Sequence, residues 1–211
     1  VSIHGGVVLA VADDPGMHSS QNEQDTRYFV DFARVMCLEP ANQQEAYHMT
    51  MEAFDLSERF DIPVVVRLVT RLAHSRAVVE TGEGRPENPV SKVPVASSWI
   101  LLPSNARRQW KALLDRQSDM LAYTESCPHN VLSLSKKPGG LGVITTGIAR
   151  NYYMEALEDL GGTPSHLHIG AYPLPVGKIR KLVDHADEVI ILEEGYPYLE
   201  TRLRGIRPAS K

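Results

Sequence analysis

The stretch between residues 42 and 69 constrains the fold of this chain more than any other part of the sequence. Asn42 and Glu45 are spaced as a capping box, and apolar residues then recur every three or four positions as far as Phe60. The β-branched run Ile62–Val69 follows directly and predicts a strand that is buried on both faces. An amphipathic helix followed by such a strand indicates an α/β fold with a parallel sheet.

The residues before this stretch extend the same alternation. The apolar segment Gly6–Ala12 predicts a buried strand, and Asp25 or Thr26 is a suitable first residue for a short helix. Met36–Leu38 predicts a second, brief strand. Residues 1–80 are therefore predicted to contain strand, helix, strand, helix and strand in that order.

The second half repeats the alternation after an interruption. Glycine and proline are frequent between Thr81 and Ser98, as in linkers, so we place a domain boundary there. An amphipathic helix over 104–124, with Trp110 and Leu114 on its apolar face, is predicted to bridge the halves. Further along we predict strands at 141–146, 166–169 and 188–192, and helices at 149–160 and around 179–186. The predicted fold is α/β, with two alternating β/α units and mainly parallel sheets.

Composition and charge argue against several classes of protein. The 211 residues are 43% hydrophobic and 23% charged, which is ordinary for a globular protein and atypical of collagen, coiled coils or disordered chains. No apolar run approaches the roughly 20 residues that span a bilayer. The net charge of -4, without a basic block, argues against nucleic acid as a partner.

The cysteines and the first residue indicate where the protein works and what it is part of. Cys37 and Cys127 are too far apart to form the paired spacing of a zinc or iron–sulfur site, and two cysteines make no disulfide framework. We interpret them as ordinary thiols of a cytoplasmic protein. Because the chain begins with Val1 and not with methionine, we expect it to be a piece of a longer protein.

The sequence contains no common catalytic motif such as a P-loop, HExxH, GxSxG, or a GxGxxG that follows a strand. Two weaker features leave alternatives open. Thr145 to Gly147 lie between a predicted strand and helix, where backbone amides bind anions, although a tight connection that needs glycine is the simpler interpretation. His166 and His168 point to the same face of one strand, as metal ligands do, but a polar strand face explains them as well.

The densest polar stretch is Asp13–Arg27, which reads DDPGMHSSQNEQDTR. It follows the carboxyl end of a predicted strand, where open α/β sheets bind their ligands. Its serine, amide and arginine side chains are suited to hydrogen-bonding a carboxylate or a phosphate. The alternative is a surface loop of local turns and helix caps.

A second polar cluster occurs where the strand Ile62–Val69 ends, and it consists of Arg67, Arg71, His74 and Arg76. In a parallel sheet this strand end lies at the same edge as the polar loop, so the two clusters are predicted to be neighbours. A cationic rim there suits an acidic substrate. Solvated surface arginines are the alternative interpretation.

Five segments of the sequence resemble one enzyme family. They are GGVVLAVADDPGMHSSQNEQDTRYFVDFARVMCLEP, IPVVVRLVTRLAHSRAVVE, LGVITTGIARNYYMEALEDL, AYPLPVGKIRKLV and DEVIILEEGYPYLETRLRG. The similarity is to the α subunits of indolepyruvate ferredoxin oxidoreductases, which are thiamine diphosphate-dependent 2-oxoacid oxidoreductases. It covers most of the chain and weakens in the linker and around Trp110.

The resemblance implies a domain organisation. Residues 1–80 would be the later part of a pyrimidine-binding thiamine domain, residues 81–130 a linker with a bridging helix, and residues 131–211 a transketolase C-terminal-like domain. An incomplete pyrimidine domain leaves a sheet with an exposed apolar edge, so we also expect the isolated chain to self-associate.

The resemblance also implies an activity for the intact enzyme. That enzyme would decarboxylate an arylpyruvate oxidatively to an acyl-CoA and pass electrons through iron–sulfur clusters to ferredoxin. Its cofactors would be thiamine diphosphate, magnesium, 4Fe–4S clusters and coenzyme A, and its partners the rest of the α subunit, the β subunit, ferredoxin and the 2-oxoacid.

The sequence departs from the family in what it lacks. The family's cofactor-activating glutamate belongs to an earlier part of the pyrimidine domain, the Gly-Asp-Gly motif for magnesium and diphosphate is absent, and two cysteines cannot hold clusters that need four each. We therefore expect this chain alone to be inactive and to hold none of the cofactors, and we predict no catalytic residue and no metal ligand in it.

Six residues are predicted, by the resemblance and by their position, to lie near the cofactor or substrate. Ser19, Ser20, Asn22 and Arg27 would line or support the site beside the pyrimidine, with Arg71 and His74 on the neighbouring loop. Two other functions stay open at this point. One is the equivalent part of an enzyme for a different 2-oxoacid such as pyruvate, and the other is an α/β binding module without catalysis.

Overall fold

The computed structural model describes residues 5–84 and 96–204 together with residues 3, 86 and 89. Its strands are β1 (Val8–Asp13), β2 (Met36–Leu38), β3 (Val64–Val69), β4 (Asn130–Ser133), β5 (Leu141–Thr146), β6 (Ser165–Ile169), β7 (Ala171–Tyr172) and β8 (Glu188–Leu192). Its α-helices are α1 (Thr26–Ala33), α2 (Gln43–Phe60), α3 (Thr70–His74), α4 (Pro103–Asp115), α5 (Gln117–Ser126), α6 (Ala149–Ala156), α7 (Val176–His185) and α8 (Tyr198–Leu203). Short 3-10 turns occur at Ala96–Ser98 and Leu157–Leu160.

The first sheet has the strand order β1-β3-β2-β7. Both β1 and β2 run parallel to the central strand β3, whereas the two-residue β7 pairs antiparallel with β2. The preceding helix α2 begins at the predicted cap, where the Asn42 side chain accepts the Glu45 N–H at 2.8 Å. One face of α2 packs on the sheet through Met49, Ala53 and Leu56.

The second sheet has the order β4-β6-β5-β8. Its strands β6 and β8 flank β5 in parallel, and β4 adds an antiparallel edge beside β6. Helix α7 packs on one face through Ile179 and Leu182, which are both fully buried. The predicted α/β fold with two mainly parallel sheets is confirmed.

The two β/α units share a core. One buried cluster combines Cys37 and Val65 of the first sheet with Ile144 and Leu167 of the second. In addition, β7 follows β6 of the second sheet in the chain and completes the first sheet. The proposed domain division at 1–80, 81–130 and 131–211 stays a prediction, and the linker residues 85, 87, 88 and 90–95 lie outside the described residues.

The bridging helix differs from the prediction. It is not continuous over 104–124 but is interrupted at Arg116, a turn residue that separates α4 from α5. Trp110 and Leu114, on the predicted apolar face, are 50% and 40% exposed. Apolar periodicity finds the helix but does not show which surface covers its apolar face.

The edge strand β1 has an apolar surface. Among the described residues it pairs only with β3, and Leu9 on this strand is 46% exposed. Such an edge is the feature from which self-association was expected, and that association stays a prediction.

Replacing Ile144 by alanine is expected to lower the free energy of unfolding by about 3 kcal/mol, because the side chain is fully buried in the shared core and its loss leaves a cavity. The matched change at Ile190, which is 48% exposed on β8, is expected to cost less than about 1 kcal/mol. Urea unfolding measures both, and equal losses would contradict the assignment of the core.

Candidate functional site

The carboxyl ends of the parallel strands of both sheets meet at one place. In the first sheet, β1 ends at Asp13 and β2 is followed by Glu39. In the second sheet, β5 ends at Thr146 and β8 is followed by Glu193. Side chains from these strand ends contact two buried arginines. Open α/β sheets bind ligands at the carboxyl ends of their strands, and here these ends of the two sheets face each other.

The first of these arginines is Arg27 in the first turn of α1, which is 1% exposed. Its Nε and Nη2 donate to the two oxygens of Asp25 at 2.8 and 2.6 Å, and its Nη1 donates to Glu193 at 2.8 Å. Nη2 also donates to the carbonyl oxygen of Tyr196 at 3.0 Å. Asp25 has a second task as the N-cap of α1, where it accepts the Arg27 N–H. Arg27 therefore ties the start of α1 to the segment after β8.

The second arginine is Arg67 in the middle of β3, and it is fully buried. Its Nε donates to Asp13 at 2.6 Å, and its Nη1 donates to Glu39. The other oxygen of Glu39 accepts the Tyr172 O–H at 2.5 Å. Glu39 also lies against Gly147, where a Cβ atom would come within 2.7 Å of it, so only glycine fits in that turn.

Burial and charge act in opposite directions on these guanidinium groups. Burial alone would lower the pKa of Arg27, but the hydrogen bonds that it donates to Asp25 and the charge of Glu39 hold this pKa above its ordinary value. For Arg67 burial likewise lowers the pKa, and Glu39 leads the opposing charges that raise it above the ordinary value. Both groups stay charged. Two cations thus meet four carboxylates, of which Asp13, Asp25 and Glu39 are buried and Glu193 is partly buried.

A more exposed polar surface lies beside this buried network. Asp14 accepts the Thr70 O–H at 2.6 Å and the N–H groups of Ser19 and Ser20 at 2.8 Å each. These hydrogen bonds, that of Thr70 first, hold the pKa of the Asp14 carboxyl well below its usual range. The polar loop after β1 is thereby fastened to the first residue of α3.

Arg71 extends this surface towards the second sheet. Its side chain is 57% exposed, its Nε lies 3.2 Å from Glu194, and its guanidinium lies over the Tyr152 ring at 5.5 Å. Burial and then the charge of Glu194 raise the pKa of Tyr152. Residues from both β/α units therefore form one rim, which consists of loop 16–22, α3, Tyr152 and Glu194.

The comparisons with known proteins agree with this architecture. A family model described as "Pyruvate flavodoxin/ferredoxin oxidoreductase, thiamine diP-bdg" matches residues 7–93. Indolepyruvate oxidoreductase subunit IorA of Archaeoglobus fulgidus is 36% identical over 98% of this chain, and IorA of Thermococcus kodakarensis is 35% identical over 97%. This chain is homologous to part of IorA. It spans 33% of the length of each of these two IorA subunits.

Solved structures show the same fold as this IorA-related chain. One is a 2-oxoglutarate:ferredoxin oxidoreductase from Magnetococcus marinus, solved with 2-oxoglutarate, coenzyme A and succinyl-CoA bound. It superposes with a TM-score of 0.66 and 14% sequence identity, and the match covers 94% of this chain and 43% of that chain. A split-gene transketolase, described as an inactive β4 tetramer, gives 0.50 over 96% of this chain and 54% of its own, at 14% identity. None of the helices that the structure describes is long and apolar enough to cross a membrane.

The structure brings the polar stretch Asp13–Arg27 close to the cluster at the end of β3, as predicted. Some residues of these two clusters are exposed and others are buried. Ser19, Asn22, Arg71 and His74 are exposed on the rim of the IorA-related chain, and Ser20 is partly buried beside them. Arg27 lies below this rim, enclosed by the chain's own carboxylates and carbonyls. That these residues lie near a ligand stays a prediction.

Sequence reasoning missed the carboxylates of the buried network. Asp13 was counted only as part of the polar stretch Asp13–Arg27, and Glu39 and Glu193 were given no role in the site, although Arg67 within the apolar run VVVRLV was a usable signal. A charge on a strand that is buried on both faces requires buried opposite charges. The signal shows that partners exist but not where in the sequence they are.

Of the two histidines of β6, His168 is buried and His166 is partly buried, and both are neutral near pH 7. Thr145 Oγ1 lies 2.9 Å from His166 Nε2 and 3.0 Å from His168 Nδ1, and the Tyr153 ring stacks on His166 at 4.2 Å. Burial lowers the pKa of His166 to about 4 and that of His168 to about 3. In the described ranges no three His, Cys, Asp or Glu side chains are grouped as metal ligands.

Replacing Arg67 by methionine is expected to lower the free energy of unfolding by about 3–5 kcal/mol, because Asp13 and Glu39 lose their buried counter-charge. Arg71→Met is the control, with an expected loss of less than about 1 kcal/mol, because the Arg71 side chain is 57% exposed and its charge is solvated. Chemical unfolding followed by circular dichroism measures both. A small loss for Arg67→Met would show that the network contributes little.

The buried histidines are expected to make the chain less stable in weak acid. An unfolded histidine titrates near pH 6.5 and the folded ones near 4 and 3, so between these values the unfolded chain binds more protons. Stability is then fully present above pH 6.5 and falls as the pH drops towards 4, by at most about 3 kcal/mol for each histidine, and by less where solvent screens the charge. The double variant His166→Gln with His168→Asn should flatten this dependence in urea unfolding. The exposed control His74→Gln should not, and an unchanged slope in the double variant would refute the assignment.

Proposed function

We propose that this chain is part of the α subunit of a thiamine diphosphate-dependent oxidoreductase that decarboxylates indolepyruvate, an arylpyruvate, to an acyl-CoA with ferredoxin as electron acceptor. The observation that carries the proposal is the homology to IorA, which extends over nearly the whole chain. The family model over residues 7–93 supports the thiamine diphosphate. The chain by itself is proposed to be inactive, since it spans one third of these subunits.

The polar rim is suited to bind the 2-oxoacid or the pyrimidine ring of the cofactor, and less suited to bind magnesium. Exposed hydrogen-bonding groups and a guanidinium suit a 2-oxoacid or a pyrimidine ring. Within the part of the chain that the structure describes, no three His, Cys, Asp or Glu side chains are grouped as metal ligands. Cys37 and Cys127 are both buried, and each 4Fe–4S cluster takes four thiolates. Magnesium, diphosphate and the clusters are therefore assigned to other parts of the intact enzyme.

Each residue of the rim has a proposed task. When bound, thiamine diphosphate supplies the stabilisation of the carbanion that decarboxylation requires. Arg71 holds the carboxylate of the 2-oxoacid, because its guanidinium is charged, exposed and oriented by Glu194 and Tyr152. Ser19 and Asn22 hydrogen-bond the substrate or the pyrimidine.

Three further residues support this arrangement. Arg27 supports the rim from below through its bonds to Asp25 and Glu193. Ser20 and His74 border the same surface, Ser20 through its backbone bond to Asp14 and His74 as the last residue of α3.

The proposed partners follow from the same homology. They are the rest of the α subunit, a β subunit, ferredoxin and coenzyme A, and the proposed location is the cytoplasm. A second candidate function is the same reaction with pyruvate, which the description of the matching family model favours.

An assay of the complete enzyme tests the proposal. The full reading frame around this chain is expressed anaerobically with its neighbouring subunit, and coenzyme A-dependent reduction of a dye is followed with indolepyruvate, pyruvate and 2-oxoglutarate. Preference for indolepyruvate is expected. Activity with pyruvate alone would establish the second candidate, and inactivity with every 2-oxoacid would refute both.

Replacing Arg71 by alanine in that complex is expected to raise the KM for indolepyruvate about tenfold, the effect of losing roughly 1.4 kcal/mol of carboxylate binding. Arg204→Ala is the matched control, because Arg204 is also exposed but pairs with Glu200 on α8. Steady-state kinetics with varied 2-oxoacid measure both. An unchanged KM in Arg71→Ala would show that another cation holds the carboxylate.

A further inference from the structure

We propose that Asp14 is a positioning residue that locks loop 16–22 in the one conformation that presents Ser19 and Asn22 to the 2-oxoacid. Through Thr70 the same carboxylate fixes the helix that carries Arg71. The inference deepens the proposed function and rests on it, because the ligand it positions is the substrate proposed above.

The contacts of Asp14 carry the proposal. Its Oδ1 accepts the Thr70 O–H at 2.6 Å and the His18 N–H at 3.1 Å. Its Oδ2 accepts the N–H groups of Ser19 and Ser20 at 2.8 Å each. One carboxylate thus collects three successive backbone amides of the loop and a hydroxyl of α3. Such charge-assisted hydrogen bonds are about twice as strong as neutral ones.

Loop 16–22 lies between buried Pro15 and Asp25, which is held by Arg27, but is itself largely exposed. Its residues form neither helix nor strand, and Met17 is 51% exposed and has a positive φ of 55°. His18 and Ser19 are also exposed. Fixing each backbone residue costs about 1–2 kcal/mol of conformational entropy. With this little apolar burial at the tip, the bonds to Asp14 are what offset that cost.

Two adjacent aspartates have separate tasks at the end of β1. Asp13 contacts Arg67 in the buried network and also accepts the Thr26 N–H at 2.7 Å. Asp14 contacts the loop and α3. Successive side chains at a strand end point to opposite sides, so the sequence Asp-Asp fastens the core and the rim independently.

Thr70 connects the loop to Arg71. It is the first residue of α3 and immediately precedes Arg71. Because its hydroxyl is bonded to Asp14, the loop and the guanidinium keep a fixed relative position. A loop that samples other conformations would bind the 2-oxoacid more weakly in proportion to the time it spends outside the competent one, with little effect on the bound complex.

The test uses the full-length subunit with its partner subunit. Asp14→Asn is expected to raise the KM for indolepyruvate about tenfold or more while kcat changes less than about threefold, as for a loss of preorganisation. Hydrogen exchange at the Ser19 and Ser20 amides is expected to speed up in the same variant, since their acceptor loses its charge. Asp31→Asn is the matched control, because Asp31 is an exposed carboxylate that pairs with Arg202 on α8.

Thr70 provides a second pair of variants in case Asp14→Asn does not fold. Thr70→Val removes the hydroxyl and is expected to raise the KM, whereas Thr70→Ser keeps it and should return the KM towards that of the wild type. Equal effects of the two would overturn the coupling between the loop and α3.

Two results would overturn the lock, and a third concerns the proposed function. Unchanged exchange in Asp14→Asn would show that the loop holds its conformation without the carboxylate. Faster exchange with an unchanged KM would show that the loop does not position the substrate. A wild-type complex inactive with every 2-oxoacid would instead count against the proposed function, and the exchange rates would still decide whether Asp14 locks the loop.

Discussion

The structure depends on two arginines that are buried where the carboxyl ends of both sheets meet. Removing an ion from water costs several kcal/mol, so Arg27 and Arg67 are tolerated only where carboxylates surround them. Each carboxylate comes from a different element: Asp13 from β1, Asp25 from the start of α1, Glu39 from the end of β2 and Glu193 from the end of β8. All four must be in place at once, which fixes how the two β/α units are oriented and holds the rim above them.

Much of the fold could be predicted from the sequence because its signals are local. The strands β2, β5 and β8 have the predicted bounds, and the cap at Asn42 begins α2 where its side chain requires. The strands β4 and β7 were not predicted; both are short antiparallel edge strands, of four and two residues, that fall outside the alternation of strands and helices. The break at Arg116 also escaped it, because no proline or glycine marks that position.

The candidate site was predictable in position and not in chemistry. The rule that ligands bind at the carboxyl ends of parallel strands brought the loop after β1 and the end of β3 together correctly. It could not separate buried from exposed arginines, because burial depends on partners far away in the sequence. Arg27 and Glu193 are 166 residues apart, and no local pattern connects them. Because Glu193 is so far from Arg27 in the sequence, Arg27 was predicted to lie near a ligand, whereas in the structure it is buried against Glu193.

The strand β7 has a consequence for the order in which the chain can acquire its structure. The bond from Tyr172 to Glu39 joins residues 133 positions apart, and β7 is the last strand of the first sheet. During synthesis β1, β2 and β3 leave the ribosome long before β7. Until β7 emerges, Glu39 lacks its hydrogen bond from Tyr172 and the edge of β2 is unpaired. The first sheet of the nascent chain therefore has an unpaired edge at β2 until residue 172 emerges. During that time another strand could pair with β2 in place of β7.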